Sequence, residues 1–133
     1  MRLRRRMLVT ALAVALGGLL VGCGAGPSLR IGWLEAGGPR YKDVQYRSFS
    51  GLERASFRAQ AGQTIELDYD VAVEAGALGM KLNDPDGETL WEASFEEDAA
   101  DVIRVEATQD GRYRLRIEGR STRGGFEVAW RVE

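Results

Sequence analysis

Within residues 64–73, Ile65, Leu67, Tyr69, Val71 and Val73 alternate strictly with Glu66, Asp68, Asp70 and Ala72. A period of two puts one set of side chains on each face of an extended strand, and no helix can segregate them that way. The pattern recurs along the chain. Leu78, Met80 and Leu82 are in phase, as are Ile103 and Val105, then Tyr113, Leu115 and Ile117, and finally Phe126, Val128, Trp130 and Val132. Shorter runs at 46–50 and 54–58 precede these, and 89–95 adds a less regular one because Leu90 and Trp91 are adjacent. The count is eight strands. Trp130 is in phase with its neighbours and belongs to the core, whereas Leu90 and Trp91 compete for one inward place.

Turn residues fall between the apolar runs. Gly51, Gly62, Gly76, Asp84-Pro85-Asp86-Gly87, Asp110-Gly111 and Gly124-Gly125 supply positive φ or a preset proline where the chain must turn. No proline interrupts a proposed strand. This predicts an all-β, antiparallel, jelly-roll-like β-sandwich over residues 45–133, in which each strand buries one face. If the connectivity is a jelly roll, the third strand lies between the eighth and the sixth, and the seventh between the second and the fourth.

The N-terminus has a different grammar. Arg2, Arg4, Arg5 and Arg6 precede an apolar run at 8–21, too short for a permanent membrane span, which ends in Leu20-Val21-Gly22-Cys23. This resembles a bacterial lipobox and implies a helical signal peptide at 1–22, cleavage before Cys23, and lipidation of that cysteine. Residues 23–44 then read as a tether, broken by Gly24, Gly26, Pro27, Gly37, Gly38 and Pro39, in which Ile31, Trp33 and Leu34 form a small apolar group expected to dock on the domain.

Processing changes the charge. The 18 Lys and Arg include four before Cys23, and none of the 20 Asp and Glu does; the chain from Cys23 onward therefore has 14 basic and 20 acidic residues, a net charge of −6. An exported acidic domain is not a nucleic-acid binder. Cys23 is the one cysteine, so a lipidated chain has no thiol for a disulfide or thiolate metal site.

From Phe49 to Val132 the chain resembles the small sandwiches of the GOLD and bacterial pre-peptidase C-terminal type. The residues carrying this are Gly62-Gln63-Thr64, Asp84-Pro85-Asp86-Gly87 before Leu90-Trp91, Gly111-Arg112-Tyr113-Arg114-Leu115, and Gly124-Gly125-Phe126 leading to Trp130. The resemblance implies an interaction or accessory module and no catalytic activity.

The residues themselves offer little catalytic chemistry. There is no histidine, hence no Ser-His or Cys-His nucleophile and no imidazole metal ligand. Gly-x-Ser-x-Gly, the phosphate loop and the dinucleotide fingerprint are missing. Asp68 with Asp70, or Glu96, Glu97, Asp98 and Asp101, are the carboxylates a carbohydrate-active enzyme would need, but alternating acids describe any solvated strand face. Asp84, Asp86 and the 96–101 loop are also the oxygen donors a calcium site would use, although Asp-Pro-Asp-Gly is fully accounted for as a turn. The expectation is therefore no enzyme, no cofactor and no metal.

One pattern points outward. Arg112, Arg114 and Arg116 alternate with Tyr113, Leu115 and Ile117, so three guanidinium groups leave one strand on its solvent face. A jelly roll would bring Arg54, Arg58 and Lys81 to that face and send Glu66, Asp68 and Asp70 to the other; a simple meander would instead pair acids with arginines. Arg112, Arg114 and Arg116 are the surface-contact candidates. The expected protein is a lipid-anchored, extracytoplasmic, non-catalytic binding or accessory module of the cell envelope. Its partner is the membrane through the lipid, with an anionic envelope polymer or a membrane protein in addition. The alternative is a structural envelope subunit docked on a membrane protein.

Overall fold

The computed structural model describes residues 28–133. The signal segment 1–22 and Cys23 lie outside the described residues. Seven strands follow one another: β1 (Leu29–Ile31), β2 (Leu34–Gly38), β3 (Tyr41–Ala59), β4 (Thr64–Asn83), β5 (Thr89–Phe95), β6 (Ala99–Glu106) and β7 (Gly111–Val132). No helix occurs among the described residues, so none there is long and apolar enough to cross a membrane.

Three strands of 19, 20 and 22 residues organise the molecule. β7 runs antiparallel between β3 and β4 along its whole length, and all three bend at the same level. Before and after the bend they belong to different sheets. One sheet is ordered β2, β3 (41–46), β7 (124–132), β4 (64–73), β6, and the other β3 (51–59), β7 (111–119), β4 (78–83), β5. β1 pairs with the bend of β3. In the numbering of the eight sequence runs, the third lies between the eighth and sixth, and the seventh between the second and fourth, which is the jelly-roll order.

The eight expected runs are all present, but six of them are fused pairwise. Gly51, Gly76 and Gly124, read as turns, are corners inside continuous strands. At each corner the ladder slips register, and the buried parity switches: Ile65 to Val73 are buried at odd positions of β4, and Leu78, Met80 and Leu82 at even ones. A bulge absorbs the odd residue, so that both arms keep their apolar side inward. Gly124 shows why the corner needs glycine. Its φ is +135°, and a Cβ there would stand 2.0 Å from the carbonyl oxygen of Ala72.

The core lies between the two sheets. Leu67 and Ile65 from one and Leu82, Leu115 and Ile117 from the other are fully buried, each worth about 1.5–3 kcal/mol of transfer free energy. Aromatic rings cross the gap: Phe57 stacks on Trp130 at 6.2 Å, and Tyr69 meets Trp91 at 5.5 Å. Trp130 is core, as its phase predicts. Trp91 takes the inward place opposite Leu82, and Leu90 is half-buried beside it.

The expected tether needs correction. Over its described part, residues 28–44 are sheet: β1 and β2 pair with β3, and Val44, fully buried, belongs to β3. Trp33 provides the apolar contact, stacked on Tyr46 at 5.8 Å and edge-on to Phe49 at 5.0 Å. The sheet therefore includes this arm from Leu29 onward, rather than starting at residue 45.

Candidate binding face

β7 begins at Gly111, and its first arm buries Tyr113, Leu115 and Ile117 completely. That phase leaves Arg112, Arg114 and Arg116 exposed on the outer face of the second sheet. The flanking strands add to them. Arg54 is directly opposite Arg116 and Arg58 opposite Arg112 on one side, and Lys81 is opposite Arg116 on the other. Ser56 and Asn83 flank Arg114. The meander in which acids pair with these arginines is thus not the one adopted.

Like charges directly across a ladder destabilise it. Among the described residues Arg54, Arg58, Arg112, Arg114 and Arg116 take part in no ion pair, a state shared elsewhere by Arg40 and Arg47, while Arg30, Arg104, Arg120, Arg123 and Arg131 do. Lys81 meets Glu92 at 3.7 Å through two well-exposed side chains, a weak contact. The face is also concave, with a depression of about 630 Å³ lined by Arg54, Ser56, Asn83, Arg112, Arg114 and Arg116. No aromatic ring lines it.

The acids occupy the outer face of the first sheet. Glu66 pairs with Arg104 at 3.1 Å, whereas Asp70 is opposite Glu127. Asp68 and Asp70 are exposed there; β6 lies alongside, but Asp101 is opposite inward-facing Tyr69 and so does not share the face of the two acids, and Asp98 accepts the backbone N–H of Val73 at 2.9 Å, which commits it to the β5–β6 loop. Asp84 is buried, and its Oδ1 accepts the N–H groups of Asp86 and Glu88, both at 2.9 Å, while Gly87 N donates to its carbonyl at 3.0 Å. The carboxylate holds the turn. Among the described residues no group of three or more potential metal ligands converges.

A second ionic feature is not visible in the sequence. Lys42 and Glu53 lie on opposite sides of the β3 bend, both facing inward, and Lys42 Nζ donates to Glu53 Oε1 at 2.9 Å. Arg30 donates to the other oxygen of Glu53 at 2.7 Å, and Lys42 also reaches Glu35 at 3.3 Å. The Arg30 guanidinium stacks 4.3 Å above the ring centroid of Trp33. Burial pushes the Glu53 carboxyl up, but the hydrogen bonds and charges of Lys42 and Arg30 outweigh it and leave it below the usual carboxylate range. Burial likewise lowers Lys42, and Glu53 and Glu35 more than restore it, so its ammonium is held above the ordinary value. This chain of charges clasps the arm and both sheets at the open edge of the sandwich.

No protein-family model and no curated protein matches the chain. Solved structures do. A carbohydrate-binding module designated CBM4 is 9% identical, with 86% of this chain and 82% of that one covered at a TM-score of 0.52. PliG, a periplasmic inhibitor of g-type lysozyme from Aeromonas hydrophila, is 11% identical, with 83% and 90% covered at 0.50. The pre-peptidase C-terminal domain of a Bacillus anthracis collagenase is 12% identical, with 80% and 89% covered at 0.46. At these identities the likeness is one of fold, the β-sandwich.

Proposed function

We propose that the chain is a lipid-anchored, extracytoplasmic, non-catalytic binding module of the bacterial envelope whose contact surface for an anionic partner is the face built on Arg112, Arg114 and Arg116. The observation that carries this reading is the direct opposition of Arg54 to Arg116 and of Arg58 to Arg112, with no acid paired to any of them among the described residues. Such a face is electrostatically unfavourable in isolation and relaxed by a bound anion. Two neighbours at a TM-score of 0.50 or above, a carbohydrate-binding module and a lysozyme inhibitor, act by binding, which supports a binding role for the same sandwich here. Anchoring rests on Arg2 to Arg6 and Leu20-Val21-Gly22-Cys23.

The test has two arms. Cys23→Ala is expected to release the protein from membranes or leave it as precursor; mature-sized, membrane-bound protein would refute the anchor. Replacing Arg112, Arg114 and Arg116 by Gln is expected to abolish retention on anionic vesicles or anionic wall polymer in low salt, and full retention would refute the face.

A second reading, docking on a membrane protein, is favoured by Leu29, Ile31 and Leu34, which are 51%, 49% and 70% exposed on the arm that follows the leader. Cross-linking from these positions in native membranes tests it.

A further inference from the structure

Resting on the reading of the arginine face as an anion site, we infer that its ligand is a linear polyanion lying along β7, a phosphodiester-linked polyol with a three-carbon spacer, rather than a bilayer surface. Shape comes first. A bilayer presents a plane, whereas this face is hollowed along the first arm of β7, with Arg54 and Ser56 on the β3 side and Asn83 on the β4 side. A depression of about 630 Å³ takes a few units of a chain. It does not suit a flat array of headgroups.

Spacing comes second. Arg112, Arg114 and Arg116 repeat along the strand at about 6.8 Å, two residues of rise. Successive same-face Cα atoms are joined by as many backbone bonds as successive phosphorus atoms in a glycerol phosphate chain, so an extended polymer of that kind runs in step with the ladder. Each guanidinium then meets one phosphate, through the two parallel N–H···O contacts for which arginine is suited. Opposed arginines across the strands provide a second contact at both ends, Arg58 beside Arg112 and Arg54 beside Arg116.

The middle of the trough agrees. Arg114 is flanked by Ser56, whose exposed hydroxyl offers a hydrogen bond to a polyol, and by the neutral Asn83, which is buried and accepts from Thr89 Oγ1 at 3.3 Å. Rings that would stack on a neutral sugar do not line it. Acidic residues do not line it either; Glu118, Glu53 and Glu92 lie in the neighbouring depressions beyond Arg116 and Arg54 and bound the trough at that end.

The experiment titrates the purified full-length chain in neutral detergent with glycerol phosphate monomer, with 1,3-linked oligomers of increasing length, and with phosphate oligomers of a longer, five-carbon spacer. Vesicles containing phosphatidylglycerol form a parallel arm. Affinity is expected to rise about tenfold or more from monomer to trimer and then level off as the ladder is filled, and the longer spacer is expected to bind more weakly. Ser56→Phe, at an exposed strand position, leaves every charge in place and fills the trough; it is expected to lose the oligomer, while Ser56→Ala, which removes one hydroxyl and adds no bulk, weakens it far less. Arg114→Gln, also exposed, provides a second loss should Ser56→Phe fold poorly.

Equal affinity for monomer and trimer, indifference to spacer length, or undiminished binding by Ser56→Phe would overturn the polymer register. Binding to the vesicles alone, lost with the three arginines, would make the partner a membrane and leave the anion-binding face intact. No binding to either probe would remove both.

Discussion

Lys42 and Glu53 are eleven positions apart on one strand, yet their side chains meet at 2.9 Å because β3 bends between them. The pair joins two sheets through a single chain segment. Glu53→Gln is expected to cost about 2 kcal/mol at neutral pH, the scale of a hydrogen bond between charged groups that are largely out of solvent. The pH dependence has a defined sign at each end. Glu53 is held below the ordinary carboxylate value of 4.5, so its contribution is present above that value and is lost as pH falls through the folded one. Lys42 is held above 10.5, so its contribution is complete below that value and is lost as pH rises through the folded one. Urea unfolding of wild type and Glu53→Gln should therefore differ at pH 7 and converge in acid; a constant difference down to the lowest pH would show that the pair is not ionic.

The arginine face predicts an unusual response to salt. Replacing Arg112, Arg114 and Arg116 by Gln removes three like-charge oppositions, each costing about 0.2–1 kcal/mol. Stability should hold or rise. Added salt should stabilise the wild type more than the variant, because screening relieves repulsion only where repulsion exists. A loss of stability that shrinks in high salt would mean that these arginines are paired with acids in solution.

Corner and turn glycines should separate cleanly. Gly62 has φ +88° with nothing within 4 Å of an added Cβ, so Gly62→Ala should cost only backbone strain, about 1–2 kcal/mol. Gly124→Ala meets the Ala72 carbonyl at 2.0 Å in addition. It should destabilise by clearly more, or prevent folding. Equal melting temperatures for the two variants would mean that the corner can open without penalty.

The alternating runs made the sheet content, the buried faces and the outward arginines legible, because in-phase apolar residues act locally and leave a period in the sequence. Corners left no such mark. Gly51 and Gly124 carry the same signature as chain reversals, and only the pairing of β7 with both neighbours through the bend distinguishes them. The arm was hidden for another reason: Leu34-Glu35-Ala36-Gly37-Gly38 has no alternation, and its strand character comes from hydrogen bonds offered by β3. Nor does the Lys42–Glu53 clasp have a periodic signal, since its partners meet through a fold and not through spacing. Ser56 and Asn83 beside Arg114 become neighbours in the same way, through register between strands far apart in the chain.

β3 and β4 never pair with each other; they are joined only through β7, the last of the seven described strands. As a nascent chain emerges, residues 41–106 can form local hairpins from β4 with β5 or β6, but neither sheet has its centre until residues 111–132 arrive. Nearly all sheet closure is deferred to that moment, and it joins segments some seventy residues apart, a topology that slows folding because loop closure precedes the stabilising contacts. A chain that lacks its central strand until residues 111–132 appear stays open up to that point. The same dependence makes the molecule intolerant of losing β7: without it two sheets are left with nothing between their halves.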